Sequence, residues 1–324
     1  MASTPQHQHL DEGEVPSFRH QPPRLNVASI RLLDILPLGN DGIIRCKIRH
    51  STLATPIAPK TSTNWNCAPS YTCLSYVWGS DDSMKMIMVN DERFPVRENV
   101  YRFLQKYVNG KDSIDVEACA KSIWIDALCI DQASIQERNH QVQQMGRIYS
   151  QAQEVIVWLG DDVGFDELFR FAATLTPFER RRDARQVARH IEFIHALSEN
   201  SYWSRAWITQ ELALARAVHF IAHNSSVRME SLLLMGASVK QTYGEDVFLK
   251  LYRPLREHQR GSLALNVCDN LWRYRDKACS DERDLVYSLL SMSRNGAKVQ
   301  VSYQCTLMDL ALDVLRSCAG GPCL

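Results

Sequence analysis

The chain has 324 residues, of which 45% are hydrophobic and 23% charged, a composition typical of one large or two modest globular domains. Lys plus Arg and Asp plus Glu both number 37, so the net charge is zero, which excludes a function carried by overall charge, such as non-specific nucleic-acid or membrane binding. The 10 cysteines form no Cys-x-x-Cys pair, and no run reaches the roughly 18–20 apolar residues of a membrane helix. We therefore expect a cytoplasmic protein with buried thiols, no membrane span and no nucleic-acid partner.

The N-terminal part divides into a tail and a hairpin. Residues 1–25 are polar and rich in Pro and His, which predicts a disordered tail with solvated histidines. Two apolar segments, residues 30–38 and 43–53, flank Asn40-Asp41-Gly42, a sequence typical of a hairpin turn. We expect this hairpin to extend one edge of the main sheet.

A buried strand is predicted over residues 71–79, ending at a glycine that is followed by hydroxyl and carboxylate side chains. A small hairpin over residues 86–96 follows it. Asn99 is then a candidate cap for a helix whose apolar side chains recur at helical period over residues 100–108.

Residues 123–160 predict a strand, a helix and a second strand. The first strand, residues 123–130, is apolar except for Asp126, whose carboxylate therefore needs a partner or an opening at the strand end. Ser134 begins the helix at capping-box spacing from Glu137, and the apolar residues 155–159 form the second strand. Such a unit implies a right-handed parallel crossover, whose ligands bind outside the carboxyl ends of the strands.

An insertion over about residues 161–200 follows, with helices predicted at 165–175 and 186–197. Its basic run, residues 179–185, is diluted by acids and has no interleaved aromatic side chains, which favours a solvated helix face over a nucleic-acid patch. Ser201 or Ser204 is then a candidate cap for a helix over residues 202–215.

Trp207 and Glu211 fall on one face of that helix, together with a leucine. A carboxylate beside tryptophan and leucine is either hydrogen-bonded structurally or poised in a pocket. A strand over residues 218–221 and a mostly helical portion from residue 229 complete the chain, which ends abruptly after a helix and is expected to be a fragment or variant of a longer protein.

Other chemistries have weaker support in the sequence. His219 and His223 have helical spacing but no third ligand nearby, so no metal site is expected. Cys129 with His140 could form a nucleophile and base, although a cysteine within an apolar strand is more typical of an inert buried thiol. Neither phosphate-binding glycine loops nor a Gly-x-Ser-x-Gly nucleophile elbow is present.

Three blocks of the chain resemble the fungal heterokaryon incompatibility (HET) domain: YTCLSYVWG, the long segment of residues 123–160, and YWSRAWITQELALA at 202–215. Residues 31–38 and 280–292 add to this similarity, which extends over most of residues 30–300. The resemblance implies a fungal protein of self/non-self recognition whose activation triggers cell death.

A second resemblance is to Toll/interleukin-receptor (TIR) domains. In both, a strand ends in a Leu-Ser-aromatic segment before Gly and acids, as Ser75 and Tyr76 do here, and a Trp precedes a Glu by four residues, as Trp207 precedes Glu211. Ile208 stands where enzymatic TIR domains have Cys. The resemblance implies that Glu211 is catalytic in cleaving the nicotinamide–ribosyl bond of NAD, as substrate rather than cofactor. It makes the following residues candidate binding groups: Ser75, Tyr76, Trp78, Asp126 and Trp207.

These observations predict an α/β fold with a TIR-like (flavodoxin-like) parallel sheet flanked by helices, an N-terminal hairpin extension and a helical C-terminal portion. The expected divisions are a tail to residue 25, a HET domain over 26–235 and the helical portion over 236–324. The expected function is a cell-death effector that cleaves NAD after self-association, with a protein partner of the incompatibility system. The alternative is a non-enzymatic homotypic interaction module in which Arg205, Gln210 and Glu211 form a buried hydrogen-bonded network.

Overall fold

The computed structural model describes residues 16–54, 70–110, 122–174, 191–243 and 265–319. The described part contains one nine-stranded mixed sheet with helices around it. In chain order the strands are β1 (Ser29–Ile35), β2 (Arg45–Thr52), β3 (Thr72–Tyr76), β4 (Met84–Val89), β5 (Glu92–Arg97), β6 (Ser122–Trp124), β7 (Val155–Trp158), β8 (Val218–Ala222) and β9 (Ser225–Arg228).

The helices alternate with the central strands and continue to the C-terminal end of the described chain. They are α1 (Glu98–Asn109), α2 (Asp126–Cys129), α3 (Ile135–Gln143), α4 (Met145–Gln151), α5 (Gly164–Thr174), α6 (Ile191–Glu199), α7 (Ile208–Ala213), α8 (Met229–Tyr243), α9 (Val267–Arg273), α10 (Arg283–Tyr287) and α11 (Leu307–Ala319). Short 3-10 helices occupy Ser201–Ser204, Leu290–Met292 and Gly296–Lys298.

The strand order is β5-β4-β2-β1-β6-β3-β7-β8-β9. The four central strands β6, β3, β7 and β8 run parallel, and their order is second, first, third, fourth along the chain, as in flavodoxin-like sheets. They are buried on both faces, as expected of parallel strands covered by helices. The α/β class and the flanking helices are thus confirmed, whereas the sheet is mixed rather than wholly parallel, because hairpins flank its centre.

The predicted N-terminal hairpin is present and closes one side of the parallel centre. Strand β1 pairs antiparallel with β2 and also with β6, and β2 in turn pairs with β4 of the second hairpin. The hairpin is therefore built into the middle of the sheet. Of the predicted tail, residues 1–15 lie outside the described residues, while Phe18 donates its backbone N–H to the Arg93 carbonyl at 2.9 Å.

A buried ion pair joins this hairpin to α3. Arg31 of β1 and Glu137 are both almost fully buried, and the guanidinium forms a bidentate salt bridge with the carboxylate. The same guanidinium donates to the Cys129 carbonyl at 3.1 Å and the Gln21 carbonyl at 2.5 Å. The carboxylate also accepts the Asp131 N–H at 2.8 Å. One charge pair thus fixes four separate segments of chain.

The predicted strand over residues 123–130 is wrong beyond Trp124. The chain turns into α2 because the Asp126 carboxylate accepts the Ala127 N–H at 2.7 Å, a local bond that competes with strand pairing. The apolar run is buried on a helical turn instead of a strand.

The single helix predicted after Ser134 is divided at Gln144, although Ser134 caps it as expected by accepting the Glu137 N–H at 3.3 Å. Gln141 and Gln144 both donate their side-chain amides to the Ser29 carbonyl of β1, at 2.8 and 3.0 Å. The division of the helix at Gln144 thus accompanies the binding of both side-chain amides to the same carbonyl oxygen.

The other two predicted helix caps, Asn99 and Ser201 or Ser204, are wrong. Asn99 lies inside α1, where its amide donates to the Val77 carbonyl at 2.5 Å and accepts the Trp158 indole N–H at 2.9 Å. Asn200, rather than Ser201 or Ser204, caps the 3-10 helix before α7 by accepting the Tyr202 N–H at 2.9 Å.

The C-terminal helices pack directly on α3 and α4. The backbone N–H groups of Val301 and Tyr303 donate to the side chains of Gln143 and Asn139, at 2.7 and 2.9 Å. Gly146 of α4 allows the closest approach, since a Cβ added there would lie 2.2 Å from Cβ and Oγ of Ser291.

We expect Gly146→Ala to lower the free energy of unfolding by about 1–2 kcal/mol, because overpacking outweighs the roughly 1 kcal/mol that Ala gains over Gly in a helix. Ser291→Gly removes the opposing atoms and serves as the matched partner in a double-mutant cycle. Urea unfolding of the four proteins should give a favourable coupling free energy of about 0.5 kcal/mol or more. Strict additivity would contradict the close approach.

Candidate functional site

Glu211 lies on α7 with its carboxylate facing the central strand β3. Its side chain is 2% exposed and accepts a hydrogen bond from the Ser75 hydroxyl of β3. That hydroxyl also lies 2.7 Å from the hydroxyl of Tyr202, on the 3-10 helix just before α7. Ser75 therefore joins a strand to two elements that follow it by more than a hundred residues.

Asp126 is a second carboxylate, at the carboxyl end of β6. It accepts the Tyr76 hydroxyl at 3.0 Å and the Trp78 indole N–H at 2.7 Å, and both donors come from the carboxyl end of the neighbouring strand β3. Asp126 and Trp78 remain partly exposed. The aromatic side chains thus hold Asp126 at the edge where ligands of parallel sheets bind.

Arg205 is the cation that both carboxylates share. Its Nη1 lies 3.7 Å from Oε2 of Glu211, and its side chain is 18% exposed. The Arg205 backbone is held by a short bridge to Ala278, in which Ala206 N–H donates to the Ala278 carbonyl at 2.9 Å. Nη1 itself is buried and makes no hydrogen bond to the described residues.

Burial dominates the electrostatics of this carboxylate cluster, which we define as Ser75, Tyr76, Trp78, Asp126, Tyr202, Arg205 and Glu211. Burial raises the pKa of Glu211, against the opposing effects of the Arg205 charge and the Ser75 hydrogen bond. Burial likewise raises the pKa of Asp126, opposed by Arg205 and by the indole and hydroxyl donors. Two carboxyl groups of raised pKa beside one guanidinium form an arrangement frequent at functional sites and also in structural networks.

Trp207 is the one predicted binding residue that the structure places elsewhere. Its indole hydrogen-bonds the Asp284 carboxylate of α10. That carboxylate also accepts the Tyr303 hydroxyl at 2.5 Å. The helical spacing does hold, since Trp207 is the N-cap of α7 and its carbonyl accepts the Glu211 N–H at 3.2 Å, but the two side chains have different partners.

Tyr202 of the cluster and Tyr149, which contacts the cluster, were not among the predicted site residues. The Tyr149 hydroxyl donates to the Leu74 carbonyl at 3.3 Å. Tyr149 also hydrogen-bonds Glu211, which partly opposes the rise in the pKa of Glu211 that burial causes. In the sequence, Tyr149 falls on the apolar stripe of the helix after Ser134, and this pattern does not separate a tyrosine of a functional site from one of the core. The only signal was its hydroxyl, which needs a hydrogen-bond partner when buried.

The other residues considered for chemistry occupy ordinary structural positions. Burial raises the pKa of the Cys129 thiol to about 12, which keeps it protonated and inert. His219 lies 3.5 Å from Glu154, while His223 contacts Asp166 at 2.8 Å in the turn between β8 and β9. The basic run over residues 179–185 lies outside the described residues. Within the described ranges no helix is long and apolar enough to cross a membrane.

Comparison with known proteins shows which family the segment that carries this cluster resembles. Residues 71–211, from the strand that carries Ser75 to Glu211 itself, match the family described as heterokaryon incompatibility protein (HET). This segment of the chain is therefore similar to the HET domain.

A particular relative is heterokaryon incompatibility protein 6, OR allele, of Neurospora crassa. It is 32% identical over 142 residues, which cover 41% of this chain. The match spans only 19% of the relative's length. No solved structure gives a significant match to this chain.

Proposed function

We propose that this chain acts in heterokaryon incompatibility as a cell-death effector that cleaves the nicotinamide–ribosyl bond of NAD after self-association. The similarity to the HET domain and the name of the Neurospora relative support the biological role. The observation that carries the chemistry is the pair Asp126 and Glu211, two carboxyl groups of raised pKa that both interact with the charge of Arg205 at the carboxyl edge of parallel strands.

The reaction needs few groups from the protein. Departure of the neutral nicotinamide leaves an oxocarbenium-like ribosyl cation, which an ionised carboxylate stabilises before water adds to it. Glu211 would supply that carboxylate, while the half-buried Trp78 and Asp126 would contact the ribose and the nicotinamide ring. Because Glu211 is 2% exposed and pairs with Arg205, the ribose reaches it only if neighbouring side chains such as Arg205 move, and we assign that movement to self-association.

A second candidate function is a non-enzymatic module that assembles with copies of itself and recruits partners. The burial of Glu211, its ion pair with Arg205 and its hydrogen bond from Ser75 favour this candidate specifically, because they give the carboxylate partners without a ligand. In that case the carboxylate cluster anchors α7 to β3 and the recognition surface lies elsewhere.

Incubation with NAD separates the two candidates. Purified protein at a concentration where light scattering shows oligomers is mixed with NAD, and nicotinamide release is followed by chromatography. We expect Glu211→Gln to lose about 100-fold or more of the activity, the usual effect of removing one stabilising group from a transition state. Glu154→Gln, a partly buried carboxylate paired with His219 outside the cluster, is the matched control and should retain activity.

Two results would reject the enzymatic proposal. Oligomers of the wild type that leave NAD intact would favour the interaction module, and equal activity of Glu211→Gln and wild type would remove Glu211 from the mechanism. Unfolding curves of both variants establish that any loss is not a loss of fold.

A further inference from the structure

Two thiols of the C-terminal helices lie within van der Waals contact. Sγ of Cys268 on α9 and Sγ of Cys318 on α11 are 3.3 Å apart, and both side chains are partly exposed. A disulfide bond is about 2.05 Å long, so the sulfurs need to approach by little more than about 1 Å.

Asn295 holds the two cysteines in this arrangement. Its side-chain oxygen accepts the Val267 N–H at 2.9 Å at the start of α9. Its amide nitrogen lies 2.8 Å from the Ser317 hydroxyl oxygen and 3.2 Å from Cys318 Sγ near the end of α11. One side chain therefore fixes the ends of both helices, so that the thiols are already aligned.

The two thiols differ in acidity. Burial works against ionisation of Cys318, but hydrogen bonds from the Cys268 thiol and the Asn295 amide outweigh it and lower the pKa of Cys318. Burial and the Cys318 sulfur raise the pKa of Cys268 to about 11. Cys318 is therefore the more readily ionised and more nucleophilic of the two thiols, and Cys268 is the thiol that donates to it.

We propose that Cys268 and Cys318 are a redox-sensitive pair that forms an intramolecular disulfide when the protein meets a hydroperoxide. The Cys318 thiolate attacks the peroxide oxygen, breaks the O–O bond and becomes a sulfenic acid as hydroxide leaves. The Cys268 sulfur then attacks the Cys318 sulfur; its proton and the departing hydroxide form water. Two thiols and one hydrogen peroxide thus give one disulfide and two water molecules.

The bond would join α9 to α11 across 50 residues of sequence. Cys268 also lines an apolar groove between α9, α10 and α11, whose walls include Leu271, Val286, Leu310 and Val314. Oxidation would therefore fix the separation of the helices that form this groove. The effect does not depend on NAD cleavage.

Peroxide treatment of the reduced full chain tests this pair. Peptide mapping without reduction should show Cys268 linked to Cys318, the melting temperature should rise, and dithiothreitol should reverse both changes. Cys268→Ser should instead accumulate a sulfenic acid at Cys318 that dimedone traps. Cys305→Ser, which removes another partly exposed thiol in the same region, is the matched control and should form the bond at the wild-type rate.

Alkylation of the reduced wild type provides a measurement that needs no variant. Iodoacetamide should modify Cys318 faster than Cys305 at neutral pH, since the thiolate is the reacting species. Formation of mixed or intermolecular disulfides in place of the Cys268–Cys318 bond would overturn the proposal. Equal reactivity of Cys318 and Cys305 would overturn it as well.

Discussion

Arg31→Met should lower the free energy of unfolding by about 3–5 kcal/mol, because it leaves the Glu137 carboxylate buried without its cation. The loss should be large for a single substitution, since the guanidinium also donates to the carbonyls of Gln21 and Cys129. Guanidinium chloride unfolding followed by tryptophan fluorescence measures it. Because the pair joins β1 to α3, the N-terminal hairpin should become accessible to proteases first.

Arg49→Met is the matched control on the same hairpin. Arg49 lies 3.2 Å from Asp34, but the two side chains are 47% and 34% exposed, so the pair should contribute only about 0–1 kcal/mol. The double variant Arg31→Met with Glu137→Leu should recover much of the lost stability, because a buried ion pair replaced by apolar side chains is often neutral. Equal effects of Arg31→Met and Arg49→Met would show that the buried pair is not a structural anchor.

Arg205→Met should cost about 3–5 kcal/mol at pH 7, because it leaves the buried Glu211 and the partly buried Asp126 near a side chain without charge. The cost should depend on pH. Burial raises the pKa of both carboxyl groups in the folded protein, and the loss of Arg205 removes an effect that lowers them.

The sign of the pH dependence follows from proton binding. When the folded pKa lies above the unfolded one, the folded state binds more protons in the interval between them, and stability falls as the pH rises through it. In Arg205→Met the interval between the unfolded and the folded pKa values is wider than in wild type. The loss of unfolding free energy relative to wild type should therefore be largest at neutral pH. It should shrink towards acid pH, where both carboxyl groups become protonated in the folded and the unfolded protein. Unfolding curves between pH 4 and pH 7.5 measure this difference.

Arg205→Lys retains the charge and should lose much less stability at pH 7. A deficit of Arg205→Met that is constant across the pH range would mean that Arg205 acts through packing alone. The result bears on function too, because an Arg205 that is dispensable for stability is free to move from Glu211 when a ligand enters.

Much of the sheet was predictable because apolar runs report burial directly. Strand β7 lies within the five consecutive apolar residues 155–159, and β3 and β8 lie in apolar stretches interrupted only by single polar residues. The hairpin turn followed from Asn40-Asp41-Gly42. The strand predicted over residues 123–130 was too long, because a buried helical turn and a buried strand have the same apolar sequence pattern. What ended the strand was a local hydrogen bond of Asp126, which hydrophobicity does not report.

The site was predictable only in part, since its contacts join distant segments. Glu211 and Asp126 were recognisable as carboxylates in apolar surroundings and Ser75 through the TIR resemblance, and the structure brings all three into one cluster. Tyr202 meets Ser75 across 127 positions of sequence, a pairing that depends on the sheet order and has no local pattern. The ion pair of the buried Arg31 was not predictable either, because the sequence of a strand does not show that its arginine binds a carboxylate 106 residues later.

The position of β1 beside β6 has a consequence for any transfer of the family-matched segment, residues 71–211, between proteins. The family match begins at Tyr71 and ends at Glu211, so a segment with these limits lacks β1, β2 and β8. Its three remaining parallel strands would have open edges on both sides, exposing backbone groups that pair readily with other chains. The hairpin of β4 and β5 would lose β2, the strand that connects it to the rest of the sheet. Recombination at these limits would therefore place the segment between flanking strands supplied by the recipient, and chimaeras should stay soluble only where those strands fit.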